Sequence, residues 1–234
     1  MTPRVLILRP QPAASATAER ARALGLDPVV APLFEVAPLP WEAPDPRRYD
    51  AILLASANAP RLAGAGLAGL LALPAYAVGE ATGEAARAAG FGQVRIGPGD
   101  GAAALALAEA EGARRILHLC GRDRIDLERA GVAVDRIAVY AADAVPALPR
   151  AAADAIAKGA VALVHSPRAA RRFGELVPER RAIRLALISA AAAEAAGEGW
   201  AAKGVAARPR DEALLEVARR LCQSGPPDAA GAGS

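Results

Sequence analysis

Short apolar runs alternate with longer helix-like stretches from one end of this chain to the other, and that rhythm restricts the fold more than any other feature. The runs are Val5–Leu8, Asp27–Ala31, Ala51–Leu54, Ala75–Val78, Gln93–Ile96, Ile116–Leu119, Asp135–Tyr140, Ala160–His165, Leu185–Ile188 and Val205–Ala207. Between them lie helix candidates at Pro12–Leu24, Ala59–Ala65, Thr82–Ala89, Gly101–Ala110, Ala147–Lys158, Pro167–Leu176, Ala190–Gly197 and Arg210–Leu221. Continuous apolar strands separated by helices imply parallel sheets covered on both faces. About ten strands overfill one compact sheet in a chain of 234 residues, so two sheets are expected.

An internal repeat supports the division. Ala51-Ile52-Leu53-Leu54-Ala55-Ser56-Ala57-Asn58-Ala59-Pro60-Arg61 lines up with Val161-Ala162-Leu163-Val164-His165-Ser166-Pro167-Arg168-Ala169-Ala170-Arg171. The interval from Ser56 to Gly79 is 23 residues, and so is that from Ser166 to Ser189. Glu84 and Glu194 both follow their serine by 28 residues. A looser echo relates Val5–Pro10 to Ile116–Gly121. Proline-rich segments at Pro32–Pro46 and Ala141–Pro149 punctuate the chain. A chain crossing twice between lobes would make the first discontinuous: residues 1–36 plus 146–222, with 37–145 as the second lobe. Residues 223–234, rich in Gly, Pro, Ala and Ser, read as a disordered tail.

In each repeat a buried strand ends at a small polar residue and runs into a helix start. Ser56 and Ser166 are expected at N-cap positions. Gly79-Glu80-Ala81-Thr82 and Ser189-Ala190-Ala191 repeat the pattern one strand later. Open α/β sheets bind ligands at the carboxyl ends of their strands, and helix N-termini there attract anions. Four such ends suit a ligand with several carboxylates. These residues equally serve as plain helix caps, and the pattern alone does not separate the two roles. Arg9, Arg122, Arg124 and Arg168 follow strand ends and are candidate carboxylate contacts; each is equally read as a solvated or helix-pairing arginine. Tyr140 closes an apolar strand at the edge of the second proline-rich segment.

Several classes are disfavoured. Aromatic residues make up only 3% of the chain, which argues against stacking platforms for single-stranded nucleic acid. The net charge of +3 comes from scattered arginines rather than a basic block. Cys120 and Cys222 give neither metal spacing nor a disulfide framework, and fit a reducing compartment. The first strand starts too early for a signal peptide. No apolar run nears the ~20 residues of a membrane span. Of the two histidines, His118 sits within an apolar strand and reads as a core residue. His165 adjoins Ser166 but points to the other face, so it is not expected to activate that serine. Gly97-Pro98-Gly99-Asp100-Gly101 lacks the lysine of a P-loop and the Rossmann spacing, and reads as a turn, with contact to the ligand as the lesser alternative.

The ordered set Leu-Ile-Leu-Arg-Pro at 6–10, Ala-Pro-Leu-Phe-Glu-Val at 31–36, Ser-Ala-Asn-Ala at 56–59, Val-Gly-Glu-Ala-Thr at 78–82, Leu-Cys-Gly-Arg-Asp-Arg at 119–124, Val-Tyr at 139–140, Ser-Pro-Arg-Ala-Ala at 166–170 and Ile-Ser at 188–189 resembles the uroporphyrinogen-III synthase family, to about residue 221. The resemblance implies two α/β lobes joined by a two-stranded linker, with the substrate cleft between them. It implies hydroxymethylbilane, a linear tetrapyrrole with eight carboxylates, as substrate. The implied product is cyclic uroporphyrinogen III, with water lost and ring D inverted. No metal or organic cofactor is expected, nor a nucleic-acid or membrane partner; a cytoplasmic monomer is. Tyr140 aligns with a family tyrosine that assists hydroxyl departure, and Thr82 with a threonine of the cleft. Amides near Ser56, Ala57, Asn58, Thr82, Gly83, Ser166 and Ser189 would hold acetate and propionate groups. Two departures stand out: Leu-Ala precedes Ser56 where Phe-Thr is frequent, and Ala192 stands where a hydroxyl residue is often seen. The other readings are a non-catalytic two-lobed binder of a small polyanion, and a receiver or methyltransferase domain. A receiver's acidic cluster and a methyltransferase's glycine-rich first turn are both missing at Leu8-Arg9-Pro10.

Overall fold

The computed structural model describes residues 2–123 and 126–223. Two mostly parallel sheets are present. The first has five strands in the order β11-β10-β9-β1-β2, and the second has six in the order β3-β8-β7-β4-β5-β6. The strands are β1 (Arg4–Ile7), β2 (Asp27–Val30), β3 (Phe34–Pro38), β4 (Ala51–Leu54), β5 (Ala75–Ala77), β6 (Val94–Ile96), β7 (Arg115–Gly121), β8 (Ala133–Ala144), β9 (Val161–Val164), β10 (Arg184–Leu187) and β11 (Ala202–Val205). The helices are α1 (Ala13–Ala23), α2 (Asn58–Leu62), α3 (Glu80–Ala88), α4 (Gly101–Ala110), α5 (Arg150–Ala157), α6 (Pro167–Leu176), α7 (Ala190–Ala196) and α8 (Asp211–Gln223). Gln223, expected to open the tail, instead ends α8; residues 224–234 lie outside the described residues.

The chain divides into two compact units, Met1–Glu35 with Asp143–Ser234, and Val36–Ala142. The divisions fall inside β3 and β8. Alternation along β4 explains the second unit's core. Ile52 and Leu54 pack with Leu117, Leu119, Leu70 and Phe91 on one face. Ala51 and Leu53 pack with Ile116, Tyr76, Ala104 and Leu105 on the other. A strand buried on both faces has no polar position to spare, which is why it reads as a continuous apolar run. In the first unit Val5, Ile7, Leu163 and Ala186 form one such face, against Leu214, Leu215 and Val217 of α8.

The repeat extends to strand pairing. Ala51 pairs with Ile116 and Ile52 with Ala75. Their counterparts Val161 and Ala162 pair with Val5 and Leu185. Hence β4, β5 and β7 correspond to β9, β10 and β1, and Val5–Pro10 is the counterpart of Ile116–Gly121 residue for residue. The order β8-β7-β4-β5-β6 matches β2-β1-β9-β10-β11.

Two elements depart from expectation. Strand β3 falls where a linker is expected, because Glu35 and Pro38 interrupt its apolar pattern. It lies at a sheet edge, where proline is tolerated. Strand β11 lies a few residues before the expected Val205–Ala207, and it too is an edge. A β-carbon on its Gly204 would come within 2.5 Å of Val217 Cγ1, so a close approach to α8, not apolarity, defines this strand.

Candidate active site

The second unit carries a cavity of about 450 Å³ at the carboxyl ends of its strands. Ala55 and Ser56 reach it from the end of β4, and Val78 from the end of β5. Gly99, Asp100, Gly101 and Ala102 form a wall where β6 leads into α4. His118, Cys120 and Gly121 come from β7, Asp123 from the turn beyond it, and Tyr140 from β8. This is where parallel α/β sheets place ligands, because the loops leaving successive strands converge there.

Tyr140 is set apart from the other two tyrosines by what its hydroxyl meets. Tyr49 donates to Asp135 at 2.8 Å and Tyr76 to Glu111 at 2.9 Å. Burial, and next the Glu111 hydrogen bond, push the Tyr76 phenol up to about 12. The Tyr140 hydroxyl makes no hydrogen bond among the described residues, and its ring borders the cavity. The backbone sets it there: the ladder between β7 and β8 slips by one residue between Cys120 and Gly121, so Gly121 lies opposite Tyr140. The Arg122 amide then donates to the Tyr140 carbonyl at 2.9 Å.

The corresponding strand ends of the first unit hold an ion-paired cluster. Asp211, at the start of α8, accepts from Thr17 Oγ1 at 2.6 Å, Arg9 Nη1 at 2.9 Å and Arg20 Nη1 at 2.9 Å. It also lies 3.1 Å from His165 Nε2. Burial pushes the Asp211 carboxyl up, but the hydrogen bonds from His165 and Thr17 and the charge of Arg9 outweigh it and hold it well below its ordinary range. Burial lowers the His165 pKa, and the hydrogen bond to Asp211 offsets that only in part. So the carboxylate that Arg9 meets is the chain's own, and His165 pairs with Asp211. Ser166 Oγ accepts from the Ala169 amide at 3.1 Å.

The helix termini revise the expected amide contacts. Ser166 and Ser189 are N-caps, accepting from Ala169 and Ala192. Ser56 is not: Ala57 holds the cap of α2, and Ser56 Oγ accepts from the Asn58 amide at 3.2 Å in a local turn. That engages the Asn58 amide within the chain. The Thr82 and Gly83 amides both donate to the Gly79 carbonyl, at 3.1 and 3.0 Å, so they too are spent. At α3 the first-turn amides of Glu80 and Ala81 remain, since an α-helix gives its first N–H groups no intrahelical acceptor. Thr82 is itself buried. Gly83 is a packing glycine, since a β-carbon there would run into Ile96 Cδ1. Pro167 opens α6 and has no N–H to offer. The Arg168 guanidinium lies 4.4 Å from the Phe34 ring centroid. Arg122 is exposed just beyond β7 and is not in the cavity wall. Arg124 lies outside the described residues.

The pattern of residues does not single out the α4 wall or His118, Cys120, Gly121 and Asp123 as cavity residues. One signal is available: Gly97–Gly101 follows a strand and opens a helix. His118 is buried, as expected of a strand-interior residue, yet it borders the cavity. Its counterpart in the repeat is the fully buried Ile7. Among the described residues no group of three His, Cys, Asp or Glu could hold a metal ion. No described helix is long and apolar enough to cross a membrane.

The model of the uroporphyrinogen-III synthase family matches residues 15–216. This chain belongs to the uroporphyrinogen-III synthase family. The solved uroporphyrinogen-III synthetase from Helicobacter pylori is 19% identical, with a TM-score of 0.65 over 93% of this chain and 99% of that one. A mutant uroporphyrinogen-III synthase from the extremely thermophilic bacterium Thermus thermophilus is 19% identical, with a TM-score of 0.52 over 94% of this chain and 99% of that one. At such identity these two uroporphyrinogen-III synthase structures establish the shared fold, two mostly parallel sheets flanked by helices. No curated protein sequence matches the chain.

Proposed function

We propose that this chain is a uroporphyrinogen-III synthase that closes hydroxymethylbilane into uroporphyrinogen III, with the leaving hydroxyl of ring A bound in the second unit's cavity. The observation that carries this reading is Tyr140, which lines the cavity and whose hydroxyl has no acceptor among the described residues. Tyr140 donates its phenolic proton to the hydroxymethyl oxygen as the carbon–oxygen bond breaks. Water departs and ring A is left as an electrophilic azafulvene. Ring D attacks it through its already substituted carbon, giving a spiro-pyrrolenine. Cleavage of that ring's older bond frees an electrophilic methylene, the unsubstituted α-carbon of ring D closes on it, and the proton lost from that carbon restores the Tyr140 phenol, leaving ring D inverted.

Positive charge develops on ring A as its hydroxyl leaves, and carboxylates near such a centre favour it. Asp100 and Asp123 supply them in the cavity wall. The rest of the task is positioning, because the unaided chain closes with ring D uninverted. In the second unit, acetate and propionate groups fall to the amide of Ala57, the first-turn amides of Glu80 and Ala81, and Arg122. The proposal includes a monomeric, cytoplasmic enzyme with no metal or organic cofactor and no nucleic-acid partner. Tyr140→Phe tests it: a positioned general acid contributes about a hundredfold or more, so turnover of enzymically generated hydroxymethylbilane should fall by about that factor. Unchanged turnover would remove Tyr140 from the mechanism.

A further inference from the structure

We infer that Gly121 is a positioning residue for Tyr140: the missing side chain at 121 is what lets the phenol lie over the strand end with its hydroxyl at the cavity. The inference rests on the proposed role of Tyr140.

A β-carbon built on Gly121 would stand 2.8 Å from Tyr140 Cζ, and 3.0 Å from both Cε2 and the hydroxyl oxygen. Real carbon contacts sit near 3.5 Å or beyond, so the ring and any side chain at 121 exclude each other. The backbone supplies no other reason for glycine, since Gly121 is not among the glycines with positive φ. The repeat supplies none either. The counterpart of Gly121 in the sequence repeat is Pro10, three residues beyond β1, so the repeat itself does not call for glycine at this position. The requirement for glycine therefore comes from Tyr140.

The collision involves the far end of a side chain with two rotatable torsions. Turning the ring aside is cheap for the fold, but it carries the hydroxyl away with it. A misplacement near 1 Å at a reacting group costs about a hundredfold in rate. Gly121→Ala should therefore lower kcat by about ten- to a hundredfold while KM and the unfolding midpoint stay near those of the parent.

The experiment is a double-mutant cycle on full-length protein, with turnover of enzymically generated hydroxymethylbilane as readout. Parent, Gly121→Ala, Tyr140→Phe and the double variant are compared. If Gly121 acts through the hydroxyl, Gly121→Ala slows the parent but adds little to Tyr140→Phe. An equal loss in both backgrounds overturns the inference, and so does a Gly121→Ala enzyme of full rate. A Tyr140→Phe enzyme of full rate overturns the proton-donor reading and this inference together, whereas a slow Tyr140→Phe beside a fully active Gly121→Ala overturns this inference alone. Should Gly121→Ala not fold, Gly121→Ala with Tyr140→Ala removes the colliding ring and is expected to fold. Its failure to fold would equally overturn the inference.

Discussion

Asp211 Oδ1 and His165 Nε2 lie 3.1 Å apart, on side chains that are 9% and 8% exposed. His165 is held neutral by burial, so its folded pKa lies below its ordinary value near 6.5. Its contribution to stability is fully present above about pH 6.5, and is lost as the pH falls towards the folded pKa, because the unfolded chain takes up the proton first. Asp211, also lowered, adds a second loss beginning near pH 4, where the unfolded carboxylate protonates. Urea midpoints measured between pH 8 and pH 5 should decline on acidification. His165→Gln should flatten that decline, and an unaltered slope would contradict the assignment.

Removing the carboxylate itself leaves Arg9 and Arg20 without their shared partner. Breaking a largely buried pair costs about 3 kcal/mol, so Asp211→Asn should lower Tm by about 10 °C for a chain of this size. An unchanged Tm would mean that the cluster is solvated in solution.

Ser166 and Ser56 occupy equivalent places in the repeat yet do different work. Ser166 caps a ten-residue helix and accepts from Ala169. Ser56 lies one residue before the cap of a five-residue helix. Ser166→Ala should cost about 1 kcal/mol of unfolding free energy, and Ser56→Ala less. The reverse order in chemical denaturation would contradict this account of the two termini.

Gly83 provides a contrast to Gly121. A methyl group at 83 runs into Ile96 Cδ1 between α3 and β6, within the packed interior. Gly83→Ala should destabilise by about 1–3 kcal/mol, read as a lower denaturation midpoint. A midpoint equal to the parent's would show that Ile96 yields without cost.

The fold class is legible in the sequence because strands buried on both faces leave an unbroken apolar signature, as Ala51–Leu54 and Val161–Val164 do. The edges are harder to read. Strand β3 carries Glu35 and Pro38, and β11 carries Lys203 and Gly204, so neither looks like a buried strand. The site is legible where it depends on chain order. Ser56 and Tyr140 follow or end apolar runs and do reach the cavity. It is not legible where it depends on tertiary pairing. Nothing local to Arg9 foretells Asp211, two hundred residues away. Nothing local to Gly121 foretells a ring from β8. The Thr82 and Gly83 amides look free in the sequence because their acceptor, the Gly79 carbonyl, is set by how far the helix extends.

The central claim is that this chain folds hydroxymethylbilane so that ring D inverts. The most direct measurement is the isomer composition of the product. Purified protein is added to a hydroxymethylbilane-generating system, the products are oxidised, and isomers I and III are resolved. The account predicts that isomer III predominates with the chain present and isomer I without it. Isomer I alone in both reactions would contradict it.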